Sequence, residues 1–182
     1  MKATGIVRRI DDLGRVVIPK EIRRTMRIRE GDPLEIYTDR EGEVIFKKYS
    51  PIGELTGFAA QYAETMHKTC ELSVMICDRD CVIACAGVSK KENLEKSISS
   101  ELENIIEGRA LYVLNPGDRH IPVTADGSGE YFASCAMPII TEGDVIGCVV
   151  SVTNDENAKR DTALETKLVQ TAAGFLGKQL EA

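Results

Sequence analysis

The sequence of 182 residues has no tryptophan, two histidines and few aromatic residues, and these shortages exclude several classes of protein. Two histidines cannot build a histidine-rich metal site, and no Ser-His-Asp arrangement can be assembled around them. Six cysteines are too few for a disulfide-rich secreted miniprotein. We therefore expect reduced thiols, no catalytic residues, no metal and no cofactor.

Long hydrophobic runs are also missing. No apolar run reaches the roughly 18–20 residues that a membrane span requires. The opening residues, MKATGIVRRIDD, lack the apolar core of a secretory signal. Hydrophobic residues make up 43% of the chain and charged residues 29%, which is the balance of a soluble globular protein. These features predict a cytoplasmic protein of one domain or two small ones.

The charge is unevenly distributed along the chain, whose formal net charge is −6. Residues 1–50 hold 12 basic and 9 acidic side chains, whereas residues 51–182 hold 11 and 20. Residues 1–29 alone carry nine basic side chains against three acidic ones. Such a split is typical of a protein with a polyanion-binding end and an acidic, solubilising or sensing end.

The first fifty residues have the pattern of short strands around one short helix. The pattern predicts strands over 4–10 and 15–18, a turn over 11–14, a helix from Lys20 to about Met26, and a hairpin formed by 34–38 and 43–48. The helix is expected to bury Ile22 and Met26. A segment of this size with few large apolar side chains makes a poor core alone, and its strand edges are exposed. We therefore expect it to fold as a dimer with exchanged strands.

Helices and apolar strands alternate after residue 53. The pattern predicts helices over 54–68, 89–107 and 161–182, and strands over 71–78, 81–86, 110–114, 131–140 and 144–152. This order indicates an α+β domain with an antiparallel sheet. We interpret residues 51–53 as a linker between domains 1–50 and 54–182. The apolar stripes of the first and last helices suit two roles, covering the sheet or meeting another subunit.

The most specific segment is GIVRRIDDLGRVVIPKEIR, residues 5–23. It resembles the N-terminal swapped-hairpin β-barrel of the AbrB family of bacterial transition-state regulators, and the resemblance covers residues 1–50. With a GAF-like domain attached, the whole chain is similar to regulators of this family that act in endospore development. The resemblance implies a DNA-binding transcription regulator, not an enzyme, that activates some sporulation promoters and represses others. Its GAF-like domain would dimerise, sense a small ligand of unknown identity, or do both.

The resemblance also implies that Arg8, Arg15, Arg23 and Arg24 contact double-stranded DNA. The charge and position of other residues add a second tier of candidates, Lys2, Arg9, Lys20 and Arg27. A guanidinium group can bridge two phosphate oxygens or the O6/N7 edge of guanine. Residues 1–36 contain no aromatic side chain, which argues against a platform for RNA or single strands. If each domain dimerises through its own interface, the homodimer becomes a homotetramer.

Two other function classes remain as alternatives. Cys77, Cys81 and Cys85 would serve a GAF-like thiol reductase, although steps of four residues do not match the C-x-x-C spacing of redox or zinc motifs. The basic fold is also used by antitoxin-type binding proteins, which append a disordered toxin-binding tail. Residues 54–182 are instead patterned to fold, which favours the regulator.

Overall fold

The structure is a computed structural model that describes residues 5–127 and 130–181. The chain divides into two units, Met1–Tyr49 and Ser50–Ala182. No helix within the described ranges is long and apolar enough to cross a membrane.

Over residues 5–49, the smaller unit contains one short helix and one hairpin. Helix α1 spans Lys20–Thr25, and strands β1 (Leu34–Thr38) and β2 (Val44–Lys48) pair antiparallel. Asp39 organises the turn of the hairpin, because its carboxylate accepts hydrogen bonds from the N–H groups of Glu41 (3.0 Å) and Glu43 (2.8 Å). The predicted hairpin is therefore confirmed, with its turn built by an aspartate.

The N-terminal segment differs from the prediction. Residues 5–10 and 15–18 are not in strands in this single chain. Strands need neighbours for their N–H and C=O groups, and the hairpin of the same chain does not pair with them. The expectation that α1 buries Met26 is wrong, because the helix ends at Thr25 and Met26 is 56% exposed. Ile22 is half-buried.

The larger unit is built on a five-stranded antiparallel sheet. Its helices within the described residues are α2 (Pro51–Glu54), α3 (Thr56–Cys70), α4 (Lys90–Asn93), α5 (Ser100–Gly108) and α6 (Thr162–Gln179). Its strands are β3 (Ser73–Asp78), β4 (Val82–Ala86), β5 (Tyr112–Val113), β6 (Phe132–Thr141) and β7 (Asp144–Thr153), in the order β4-β3-β7-β6-β5. The segment predicted as a linker, 51–53, lies in α2, and Ile52 is buried in the core of this unit.

Hydrophobic cores cover both faces of the sheet. On one face, α3 and α6 pack against the strands, with Leu176 and Ile76 in the same cluster. On the other face, α5 packs through Leu102 onto a cluster that includes Met75. Adjacent residues of β3 thus enter opposite cores, as successive residues of a strand must. Because both faces are buried, the strands are continuous apolar runs, and the predicted α+β fold with an antiparallel sheet is confirmed.

The helix predicted over 89–107 is interrupted. It is divided into α4 and α5, and Ser99 stands at the break. The Ser99 hydroxyl accepts a hydrogen bond from the N–H of Leu102 (3.0 Å) and donates one to the carbonyl of Pro122 (2.6 Å). A serine that caps the following helix and bonds to a distant loop favours a new start over a continuous helix.

Candidate nucleic-acid interface

The four arginines of the first predicted set all lie on the exposed surface of the smaller unit. Arg8 precedes the turn over 11–14 and Arg15 follows it, whereas Arg23 and Arg24 lie in the last turn of α1. Cations in the last turn of a helix also interact favourably with the negative end of its dipole. The structure therefore presents the four guanidinium groups to solvent from three segments of one unit.

The second tier is placed less uniformly. Arg9, Lys20 and Arg27 are exposed in the same unit, whereas Lys2 lies outside the described residues. Lys20 opens α1, where the positive end of the helix dipole disfavours a cation. Glu21 in the same turn has the favourable sign. An anion near the start of α1 would remove the mismatch at Lys20.

Asp11 builds the turn that carries Arg15. Its Oδ1 accepts hydrogen bonds from the N–H groups of Leu13 (3.0 Å) and Arg15 (2.8 Å), and its Oδ2 accepts one from Arg15 Nε at 2.8 Å. Gly14 completes the turn with a φ of +76°, a conformation that glycine adopts without strain. Asp11 was not among the predicted site residues, although an aspartate three residues before a turn glycine is a recognisable turn signal.

These hydrogen bonds hold Arg15 in a defined orientation before any ligand binds. The bond to Asp11 uses one of the five N–H donors of the guanidinium group, and the terminal nitrogens supply the others. The hydrogen bond from the backbone of Arg15, followed by the one from its side chain, lowers the pKa of Asp11. The contacts of the carboxylate are therefore complete at neutral pH, and they are lost only as the pH falls through that lowered pKa.

Helix α1 ends in a Schellman motif. The N–H of Ile28 donates to the carbonyl of Arg23 (2.7 Å), and the N–H of Arg27 donates to that of Arg24 (3.3 Å). Arg27 takes the left-handed position of the motif, with a φ of +51°, where glycine is the usual residue. The backbone of the two arginines of α1 is thus tied directly to the reversal that follows the helix.

The smaller unit also exposes many large apolar side chains. They are Ile6, Val7, Ile10, Leu13, Val16, Val17, Met26, Ile36, Tyr37, Val44, Phe46 and Tyr49. Burial of apolar surface stabilises a protein by roughly 25 cal/mol per Å². In a single chain these side chains stay exposed, so their burial does not contribute to the stability of this unit. Soluble monomers seldom expose apolar surface so densely unless it forms an interface.

The cysteines lie in the larger unit as unpaired thiols. Cys77, Cys85, Cys135 and Cys148 are buried, and Cys70 and Cys81 are partly buried. Burial raises the pKa of Cys81 to about 12 and that of Cys135 to about 11, and it also raises the pKa values of Cys77 and Cys148. Thiols with raised pKa values stay protonated at neutral pH and are poor nucleophiles. Among the residues that the structure covers, no group of three or more His, Cys, Asp or Glu could hold a metal ion.

We expect the native protein to react slowly with a thiol reagent such as DTNB at pH 8. Rapid labelling should be confined to Cys70, since burial keeps the other thiols protonated and shielded. The same protein unfolded in guanidinium chloride should label all six thiols. Rapid stoichiometric labelling of Cys81 or Cys85 in the native protein, located by mass spectrometry, would contradict this assignment of the cysteines to packing.

Two family models match the chain. The model described as stage V sporulation protein T C-terminal, transcription factor, matches residues 54–181. The model described as antidote-toxin recognition MazE, bacterial antitoxin, matches residues 7–53. Stage V sporulation protein T of Bacillus subtilis (strain 168) is 53% identical over 181 residues, which cover 100% of this chain and 99% of that protein.

Solved structures are similar to the two parts of the chain. The N-terminal DNA recognition domain of the Bacillus subtilis transition-state regulator AbrB is 65% identical, with a TM-score of 0.23, and the match covers 27% of this chain and 91% of that one. Residues 122 to 287 of a methyl-accepting chemotaxis protein share the fold at 16% identity, with a TM-score of 0.55 over 71% of this chain and 90% of that one. A GAF domain/HD domain protein from Geobacter sulfurreducens is 18% identical, with a TM-score of 0.47 over 74% of this chain and 99% of that one.

The predicted α+β fold class is confirmed, since a family model matches the N-terminal part and the larger unit shares the fold of the chemotaxis-protein segment. The transcription-factor model matches more than half of the chain, and the Bacillus subtilis relative matches its whole length. The chain therefore belongs to the stage V sporulation protein T family and is a sporulation transcription factor.

Proposed function

We propose that the chain regulates sporulation genes by binding double-stranded DNA as a homodimer of its N-terminal domain, residues 1–50. The first contacts come from Arg8, Arg15, Arg23 and Arg24, and the second tier from Lys2, Arg9, Lys20 and Arg27. The observation that carries the proposal is the exposure of all four first-set arginines. They lie in a unit that is 65% identical to a DNA recognition domain.

Charge and side-chain chemistry support DNA as the ligand. Residues 1–29 hold nine basic and three acidic side chains, so a dimer doubles a positive surface. Arginine suits this surface because its planar group binds phosphate and guanine in a bidentate manner. Residues 51–182 carry 20 acidic side chains against 11 basic ones, and their like charge keeps this half away from the duplex.

The exposed apolar residues support a dimer of the N-terminal domain. Residues 5–10 and 15–18 are not in strands in the single chain, and many of the exposed apolar side chains lie in these segments. A second copy supplies neighbouring strands and an apolar surface to bury. Two sets of arginines then share one surface.

The C-terminal domain, residues 54–182, provides the second self-association. On α6, Leu164 is 53% exposed and Phe175 is 40% exposed. The ring of Phe175 stacks on Tyr62 of α3 at 5.6 Å, so the exposed aromatic surface spans two helices. Association through these helices joins two dimers into a homotetramer. Sensing of a small ligand is the other role that we propose for this domain, in place of self-association or together with it.

The salt dependence of DNA affinity tests this function. Fluorescence anisotropy of a labelled duplex from a sporulation promoter is titrated with the full chain at several salt concentrations. If about six phosphates are neutralised, the slope of log K against log salt should be near −5, because bound cations are released from the DNA. A slope near zero would count decisively against the phosphate contacts.

The alternative functions have weaker support. The antitoxin model matches residues 7–53, but the following residues form a folded unit in place of a disordered toxin-binding tail. The relative that matches the whole chain belongs to a family of transcription factors, which points away from an enzyme. The raised pKa values of the buried cysteines also disfavour a thiol reductase.

A further inference from the structure

The carbonyl group of Arg27 is held by a lysine 21 residues further along the chain. Arg27 follows α1 in the left-handed conformation, which residues with a Cβ atom rarely adopt. Lys48, the last residue of β2, donates from Nζ to the carbonyl oxygen of Arg27 at 2.8 Å. This bond ties the reversal after the basic helix to the hairpin.

The same ammonium group also lies beside a buried carboxylate. Lys48 Nζ is 3.5 Å from Asp32 Oδ2, and the Asp32 side chain is only 4% exposed. Asp32 Oδ2 in turn accepts a hydrogen bond from the N–H of Arg29 at 2.8 Å. A charge pair shielded from water interacts more strongly than one on the surface, provided that hydrogen bonds satisfy its atoms. Asp32 and Lys48 together therefore fix the backbone over 27–32.

This backbone determines where α1 ends. The N–H of Arg27 is bonded to the carbonyl of Arg24, and the next N–H along the chain, that of Ile28, is bonded to the carbonyl of Arg23. The carbonyls that close the Schellman motif thus belong to the two helix arginines of the proposed DNA interface. A shift of Arg27 moves both of them.

We infer that Asp32 and Lys48 are positioning residues for DNA recognition, which hold the end of α1 so that Arg23 and Arg24 are ordered before DNA binds. The inference rests on the proposed function. Without the pair, the end of the helix must be ordered during binding, and that loss of conformational freedom weakens affinity. Replacement of Asp32 or Lys48 removes none of the side chains that we propose to contact DNA.

Asp32→Asn tests the inference through the sign of its effect. Removal of a negative charge from a DNA-binding unit strengthens its attraction to phosphate or leaves it unchanged. Positioning predicts the opposite, a loss of about tenfold in affinity of the full chain for the promoter duplex. Glu30→Gln is the matched control, because it removes the same charge from an exposed residue of the same loop. It should stay within about twofold of the wild type.

Coupling to the helix arginines identifies the route of the effect. With Arg23 and Arg24 both replaced by alanine, Asp32→Asn should change the affinity by less than about twofold at low salt, because α1 no longer carries groups to position. In an Arg15→Ala background the loss of about tenfold should remain, since Arg15 is held by Asp11. Equal losses in both backgrounds would overturn the inference, as would native or tighter binding by Asp32→Asn.

Two further measurements keep the test decisive. Circular dichroism establishes that Asp32→Asn is folded. If it is not folded, Lys48→Gln is compared with Lys47→Gln, which removes the same charge from the neighbouring residue of β2. Only Lys48→Gln should show the loss of about tenfold in affinity. A wild-type chain that ignores duplex DNA at low salt would refute the proposed function itself, which is a different outcome from a silent Asp32→Asn.

Discussion

Arg23→Glu is expected to weaken the binding of the full chain to promoter DNA by at least about a hundredfold near physiological salt. Each chain of a dimer loses an attractive guanidinium group and gains a carboxylate that repels phosphate. The residue is exposed in the last turn of α1, so the fold should not change. Fluorescence anisotropy measures the affinity, and circular dichroism checks the fold.

The control for this variant is Arg40→Glu, which makes the same change of charge in the turn of the β1–β2 hairpin, outside the proposed contact set. It should weaken binding only through the general loss of positive charge. Arg15→Glu should match Arg23→Glu in severity, and it also replaces the ion pair to Asp11 with two carboxylates. Native affinity in both Arg15→Glu and Arg23→Glu would mean that the contact set is wrong.

The sequence pattern was sufficient to predict most of the larger unit because its strands are buried on both faces. A run such as 74–77 is apolar at every position, since Val74 and Ile76 enter one core while Met75 and Cys77 enter the other. Periodicity alone could not find the interruption of the predicted helix over 89–107. Ser99, at the break, donates a hydrogen bond to the carbonyl of Pro122, which lies more than twenty residues away in the sequence.

The N-terminal segment of a single chain differs from the sequence prediction. Alternation over 4–10 and the branched residues over 15–18 predict strands, whereas residues 5–10 and 15–18 are not in strands in the single chain. The pattern of apolar side chains indicates which face of a strand is buried. It does not indicate whether that face is buried by the same chain or by a second copy. The segment 51–53 was interpreted as a linker from its Pro and Gly, although Ile52 anchors it in the larger core.

The arginines of the proposed DNA interface could be predicted from the sequence, whereas the residues that hold them in place could not. Arg8, Arg15 and Arg23 stand within the motif of residues 5–23 and Arg24 follows it directly, so the resemblance alone identified them. The contacts of Asp32 with Lys48 and of Lys48 with Arg27 join residues far apart in sequence. These contacts form only after the hairpin has folded, so no local sequence pattern predicts them.

Val17→Asp is expected to abolish assembly of the N-terminal domain and, with it, DNA binding. Val17 is 71% exposed in the single chain, in a segment that is not part of a strand there. In the proposed dimer this side chain is buried, and an unpaired carboxylate there would cost several kcal/mol per copy. Multi-angle light scattering should report half the wild-type mass, because the C-terminal domain still associates.

Leu164→Asp separates the two interfaces. It places the same charge on the exposed surface of α6, so it should also halve the mass while DNA affinity is retained. The double variant should be a monomer. The larger unit holds most of the regular structure, so most of the circular dichroism signal should persist in all three variants. Wild-type mass and affinity in Val17→Asp would show that the apolar surface of the N-terminal domain is not its dimer interface, and the shared cationic surface would then have no structural basis.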